Sequence, residues 1–244
     1  MMRPKFLSLL MLGLVACAPT ATQTTSTSAV ATPVPMWYEG QWTASGVQLN
    51  LSSGTEGAIG TLVRPELQCA ANLTVLTRQE NQLVARQDPL YGGTNCNSTQ
   101  LVVLRRNGSQ TSINFGANQS DLPLVFAEGS GSTLIKSGVY NALAVQRNPA
   151  GSFSVQLVVS STSKGMLVSA IYPEQGCASR LQFVRNEGNQ ARYTEKMVHG
   201  TCLDGGTIRL DVQAGTGNLR YLWSKDQVPA TVEAFFRPGA LPKK

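Results

Sequence analysis

Short apolar segments that alternate with polar residues recur through most of the chain and predict β-strands. Residues 47–51 (VQLNL) and 155–159 (VQLVV) alternate or run apolar over the length of one strand. Residues 207–212 (TIRLDV) alternate cleanly, and a glycine-containing turn at residues 215–217 leads into residues 219–223 (LRYLW). We find no helical period longer than two turns, so the pattern predicts antiparallel β-structure.

One dipeptide predicts a tight hairpin. Asn107-Gly108 follows the apolar segment 101–104 (LVVL) and precedes Ile113 and Phe115. Asn-Gly suits a two-residue turn because both positions adopt a positive φ there. Strands are therefore expected on both sides of this pair.

The chain is an internal duplication. Residues 47–76 align without a gap on residues 155–184, at a constant offset of 108. The identical pairs are Val47/Val155, Gln48/Gln156, Leu49/Leu157, Ser52/Ser160, Ser53/Ser161, Gly57/Gly165, Pro65/Pro173, Glu66/Glu174, Cys69/Cys177, Ala70/Ala178 and Leu73/Leu181. The alignment predicts two homologous modules.

The two modules are placed at residues 36–128 and 137–238, with a short tail at 239–244. Residues 129–136 between them begin Gly-Ser-Gly-Ser, a composition typical of flexible linkers, so a loose angle between the modules is expected. Turn signals every 8 to 12 residues favour an all-β fold of two small antiparallel modules. The pattern leaves a β-sandwich and a β-barrel as alternatives.

Four cysteines fall at equivalent places in the two copies, namely Cys69, Cys96, Cys177 and Cys202. A duplicated module that once folded alone must have paired its own two cysteines. This predicts the disulfides Cys69–Cys96 and Cys177–Cys202. A zinc site is not expected, because it needs closely paired cysteines.

The first residues predict export. Residues 1–20 (MMRPKFLSLLMLGLVACAPT) begin with Arg3 and Lys5 and continue with an apolar run that is too short for a spanning helix of about 20 residues. The run ends in Leu14-Val15-Ala16-Cys17, which resembles the lipobox of bacterial lipoproteins. An ordinary signal peptide with an incidental cysteine is the alternative.

The lipobox resemblance implies an anchor. It implies cleavage after the signal peptide (1–16) and lipidation of Cys17, and Ala18 rather than Asp after the cysteine implies the outer membrane. Several acyl chains hold a soluble domain on a membrane durably. Residues 17–35 then form the lipidated start of a flexible Thr- and Pro-rich tether that lacks charge.

Charge excludes one class of partner. The chain has 20 Lys and Arg against 14 Asp and Glu, a net charge of +6. No run of like charge exceeds the pairs Arg105-Arg106 and Lys243-Lys244, so no nucleic-acid partner is expected.

Candidate chemistry for catalysis is sparse. His199 is the single histidine, and the recurring Glu66 and Glu174 lie in different modules, although glycosidase carboxylates must lie within about 5 to 9.5 Å of each other. Motifs of nucleotide, serine-hydrolase and zinc-protease sites are absent. We therefore expect no enzyme activity, no cofactor and no metal.

The sequence offers a few candidate binding residues. Arg105 and Arg106 suit phosphate or carboxylate groups of envelope polymers, although solvated strand edges also carry arginine. Trp37 and Trp42 suit stacking on sugars or peptides, although core filling is the commoner use of such residues.

Together these features predict a non-catalytic, lipid-anchored binding or structural protein of the outer membrane, facing the periplasm or the cell surface. Its duplicated modules would recognise an envelope protein or polymer. The alternatives are a periplasmic inhibitor of a hydrolase such as lysozyme, and a cell-wall hydrolase or esterase.

Overall fold

Each half of the chain closes into an antiparallel β-barrel. The computed structural model describes residues 36–53, 57–96, 100–116 and 119–238. Within these residues there are two closed barrels of eight strands each, in up-and-down order. The predicted all-β fold of two tandem modules is confirmed, and the barrel is the correct one of the two architectures.

Barrel 1 contains β1 (Gly40–Ala44), β2 (Val47–Leu51), β3 (Ala58–Arg64), β4 (Cys69–Arg78), β5 (Gln82–Tyr91), β6 (Leu101–Asn107), β7 (Gln110–Asn114) and β8 (Leu122–Phe126). Barrel 2 contains β9 (Gly138–Arg147), β10 (Gly151–Thr162), β11 (Gly165–Tyr172), β12 (Cys177–Glu187), β13 (Gln190–His199), β14 (Thr207–Val212), β15 (Leu219–Lys225) and β16 (Val228–Pro238). Short 3₁₀ helices occupy Pro65–Leu67, Gly93–Asn95 and Pro173–Gln175.

The alternation of the sequence fills the barrel interiors. In β13, Ala191 and Tyr193 point inward and are fully buried, while Arg192 between them is more exposed. Barrel 1 closes where β1 pairs with β8, with Trp42 opposite Phe126. Barrel 2 closes where β9 pairs with β16.

The predicted disulfides are present. Cys69 is bonded to Cys96, and Cys177 is bonded to Cys202. In each barrel the bridge joins the start of one strand, β4 or β12, to the loop that follows the next strand. The two copies therefore carry the same cross-link at the same place.

Equivalent residues of the two barrels meet at one interface. Val63, Ala70, Ile171 and Ala178 point outward from their own barrels, yet they are buried together as what we term the interface cluster. Val63 and Ile171 are equivalent at the offset of 108, as are Ala70 and Ala178. The contact therefore resembles a two-fold dimer interface, in which the same surface patch is used twice.

Hydrogen bonds at this interface are also reciprocal. The Ser53 amide donates to Ser137 Oγ over 3.2 Å, and the equivalent Ser161 amide donates to Glu39 Oε1 over 2.8 Å. Ser137 itself donates to Glu39. Glu39 and Ser137 occupy equivalent positions, because each directly precedes a glycine whose strand partners, Leu51 and Val159, are themselves equivalent at the offset of 108. These contacts join the two barrels.

The segment expected to be a flexible linker is bound to barrel 2. The Gly131 amide donates to the Lys164 carbonyl over 3.1 Å, and the Met166 amide donates to the Ser132 carbonyl over 2.8 Å. Ile135 is buried in the core of barrel 2. The segment expected to be a flexible linker is thus hydrogen-bonded to barrel 2.

The predicted signal peptide, the tether with Cys17 and the tail at residues 239–244 lie outside the described residues. None of the described helices is long and apolar enough to cross a membrane.

Candidate functional site

A cavity of about 400 Å³ lies at one end of barrel 2. Its rim comes from loops that an up-and-down barrel brings to the same end. These are the β9–β10 turn with Pro149, Gln175 of the 3₁₀ helix, residues 201–203 after β13, and the β15–β16 hairpin with Val228. Open ends of small barrels commonly bind one small ligand, and the volume is within the usual range for such sites.

The acidic group of the cavity is the carboxylate of Glu195. This side chain is only 3% exposed. Its Oε1 accepts hydrogen bonds from the Tyr172 hydroxyl over 2.5 Å and from Ser179 Oγ over 2.8 Å. Its Oε2 accepts one from Trp223 Nε1 over 2.8 Å. The acid is thereby held in one orientation.

Burial raises the pKa of Glu195 above its ordinary value. Hydrogen bonds from Tyr172, Ser179 and Trp223 oppose this rise, and the negative charge of Asp204 adds to it. Ion pairs among the described residues do not include Glu195. The carboxylate therefore has hydrogen-bond donors around it but no countercharge.

Aromatic side chains form much of the cavity wall. Phe153, Tyr172, Tyr221 and Trp223 all line it, and the two tyrosine hydroxyls lie 3.0 Å apart. Burial is the main cause that raises the pKa of both tyrosines well above the ordinary value, so both hydroxyls stay protonated. The cavity combines an apolar wall with one buried acid.

Barrel 1 carries different residues at the equivalent positions. Strand pairing places Gln87 opposite Leu73 and Glu195 opposite Leu181, so Gln87 is the counterpart of Glu195. By the same offset, Arg64 corresponds to Tyr172. In barrel 1 the Arg64 guanidinium carbon lies 4.7 Å from the ring centroid of Phe115. The two interiors have thus diverged in chemistry.

Phe115 is the counterpart of Trp223. Ile113 pairs with Leu104 in barrel 1, and Tyr221 pairs with the equivalent Leu210 in barrel 2. Two residues further along, the chain reaches Phe115 in one barrel and Trp223 in the other. Barrel 1 therefore keeps an aromatic ring at this position and covers it with its own arginine.

Family models, curated proteins and solved structures give no match to this chain.

The two predicted tryptophans belong to the packing of barrel 1. Trp42 is buried, its Nε1 donates to the Tyr38 carbonyl over 2.8 Å, and its ring packs edge-on against Phe126. Trp37 packs against the same core and lies edge-on to Tyr38. This is the core-filling role that the sequence allowed.

The predicted arginine pair lies at the exposed end of the β6–β7 hairpin. Arg105 Nη1 forms an ion pair with Asp121 Oδ1 at 2.9 Å, and Arg106 Nε donates to the Gly108 carbonyl over 3.1 Å. Both line a groove on barrel 1 that also contains Glu80. The structure places this pair on a different barrel from the buried acid.

The catalytic candidates have structural contacts. His199 stacks on Tyr91 of barrel 1, with ring centroids 5.9 Å apart. The two residues are equivalent at the offset of 108, so this contact also pairs equivalent positions of the two barrels. Glu174 accepts hydrogen bonds from the amide and hydroxyl of Ser154. Burial alone would raise the pKa of Glu174, but these hydrogen bonds outweigh it and keep the pKa below its ordinary value.

Sequence reasoning missed Glu195 and Tyr172. The signal was present, because β13 places Ala191, Tyr193 and Glu195 on one inward face, and a charged residue on such a face is unusual. The duplication offered a second signal, since Glu195 aligns with Gln87 and Tyr172 aligns with Arg64. In the part of the chain that the structure describes, no group of three or more His, Cys, Asp or Glu side chains is arranged to hold a metal.

Proposed function

We propose that this chain is a non-catalytic, lipid-anchored binding protein of the bacterial outer membrane, and that barrel 2 is its binding module. The observation that carries the proposal is the cavity of about 400 Å³ with Glu195 at its base. Barrel 1 supports barrel 2 through the shared interface.

The hydrogen bonding of Glu195 supports recognition over catalysis. Donors from β11, β12 and β15 fix both carboxylate oxygens, as is expected of a group that orients a ligand. His199 does not line the cavity and stacks on Tyr91 instead. Among the described residues that line the cavity there is no histidine to pair with a serine or cysteine nucleophile.

The leader and the disulfides support an envelope location. Residues 1–17 resemble a lipoprotein leader, and the two disulfides suit an oxidising compartment outside the cytoplasm. The Thr- and Pro-rich residues 18–35 would give the barrels reach from the membrane surface.

The binding role is tested by ligand capture with the full chain in a neutral detergent. The protein is incubated with a small-molecule extract of cells, and retained compounds are released and identified by mass spectrometry. Ala230 lines the cavity, so Ala230→Trp should fill it, whereas Leu143→Trp introduces the same side chain at a position that is 63% exposed.

We expect the parent and Leu143→Trp to retain the same compound, recovered chemically unchanged, and Ala230→Trp to retain at least tenfold less. Equal retention by Ala230→Trp would place binding elsewhere. Conversion of the compound by the parent would contradict a non-catalytic role.

The anchor is tested separately by labelling cells with radioactive palmitate. We expect label in the parent and none in Cys17→Ala, because Cys17 is the proposed acceptor. We also expect Cys17→Ala to move from the membrane fraction to the soluble fraction. A parent chain without label would refute the lipid anchor.

A further inference from the structure

We propose that barrel 2 binds a compact organic ammonium ion, whose N–H donates to the Glu195 carboxylate while its apolar body packs among the aromatic residues of the cavity. This inference rests on the proposed function in one respect, namely that the cavity of barrel 2 is a binding site. It adds the chemical class of the ligand.

The charge of the cavity wall favours a cation. Among the described residues that line the cavity, Glu195 is the one charged side chain, and no lysine or arginine is present. This is notable in a chain with 20 basic and 14 acidic residues. A cationic ligand gains the attraction of a carboxylate in a poorly solvated place, whereas an anionic ligand would be repelled.

Glu195 has room for one more hydrogen bond. A carboxylate offers about four acceptor positions. The described contacts of Tyr172, Ser179 and Trp223 use three of them. An ammonium N–H can take the position that is left. The raised pKa of Glu195 reflects a buried acid without a countercharge, and a bound ammonium group supplies that charge.

The aromatic wall favours a cation for a second reason. The faces of aromatic rings carry partial negative charge and attract ammonium groups, most strongly when the site excludes water. Phe153, Tyr221 and Trp223 line the same cavity as Glu195. Val228, Ala230 and Val232 complete an apolar lining that suits the hydrocarbon part of an amine.

Barrel 1 shows how the same fold positions a cation. There the guanidinium of Arg64 lies over Phe115, 4.7 Å from the ring centroid. Barrel 2 has the aromatic counterpart Trp223 but carries Tyr172 in place of Arg64, and it adds the acid Glu195 in place of Gln87. The chain itself thus supplies the cation in barrel 1. In barrel 2 the cation is the ligand.

The test compares three probes of the same shape and different charge. 2-Phenylethylamine is cationic near neutral pH, 2-phenylethanol is neutral and phenylacetate is anionic. Each is titrated by calorimetry into the full chain in a neutral detergent. We expect the amine to bind at least tenfold more tightly than the alcohol, and phenylacetate to show no measurable binding, because charge-assisted hydrogen bonds are about twice as strong as neutral ones.

Two variants locate the effect. Glu195→Gln keeps the size of the side chain and removes its charge, and it copies the residue found in barrel 1. Glu233→Gln makes the same change beside Arg220 on the outer surface of barrel 2. We expect Glu195→Gln to weaken amine binding about tenfold or more and Glu233→Gln to leave it unchanged.

The probe series on the unmodified chain decides the question even if Glu195→Gln does not fold. Equal affinity for amine and alcohol, or no measurable binding of the amine, would overturn the ammonium assignment. The capture of some neutral compound in the cavity would still support the proposed function. Equal weakening by both variants would also overturn the assignment, since the effect would then arise from net charge.

Discussion

Ile171→Arg is expected to uncouple the two barrels. Ile171 is fully buried in the interface cluster although it points outward from barrel 2. Arginine at this position must either lose its hydration or separate the barrels, and an uncompensated buried charge costs about 3 to 5 kcal/mol. By calorimetry we expect one transition for the parent and two for the variant, because each barrel retains its own core.

Leu143→Arg is the matched control. It places the same charged side chain on a strand of barrel 2, at a position that is 63% exposed. We expect its unfolding to follow that of the parent within about 0.5 kcal/mol. If Ile171→Arg unfolded in one transition at the temperature of this control, the interface would contribute nothing to stability.

Loss of the disulfide in barrel 2 is expected to cost about 3.5 kcal/mol. Cys177 and Cys202 are 25 residues apart, and the chain-entropy estimate for a loop of that size gives about this value. The variant Cys177→Ala/Cys202→Ala should therefore lower the free energy of unfolding, measured with denaturant. Cys69→Ala/Cys96→Ala should lower it by a similar amount, since its separation is 27 residues.

The two disulfide variants should differ in ligand binding. Thr201, Cys202 and Leu203 line the cavity, and the bridge holds this loop beside β12. We expect the barrel 2 variant to bind 2-phenylethylamine more weakly, and the barrel 1 variant to bind it like the parent. Equal binding by both would show that the bridged loop does not shape the cavity.

The duplication, the strands and the disulfide pairing could be predicted from the sequence because each depends on local pattern or on comparison of the two copies. The choice between barrel and sandwich could not, because alternation produces one buried face in either architecture. Closure depends on pairs far apart in sequence, such as Trp42 with Phe126. No local pattern encodes that pairing.

The composition of residues 129–136 predicted a flexible linker, but the segment is hydrogen-bonded to barrel 2. Glycine and serine indicate flexibility when side chains alone are considered. Here the contacts come from the backbone, and a Cβ on Gly131 would lie 2.0 Å from the Met166 carbonyl oxygen. Glycine at this position permits close approach of the backbone to barrel 2. The glycine therefore marks a tightly packed contact and not a flexible linker.

The outer faces of the barrels were equally hard to predict. In β2 every residue is buried, because one face lines the core of barrel 1 and the other is covered by barrel 2. The sequence shows mixed polar and apolar residues there, which suits a solvated strand as well. The buried acid Glu195 was predictable in principle, since it stands on the inward face of β13.

The central claim is that barrel 2 receives a cation at Glu195, and the most direct measurement is a crystal structure of the protein with 2-phenylethylamine. The account predicts the amine nitrogen within hydrogen-bond distance of a Glu195 carboxylate oxygen, with its ring among Phe153 and Trp223. An amine bound only in barrel 1, or one with its nitrogen turned away from Glu195, would contradict it.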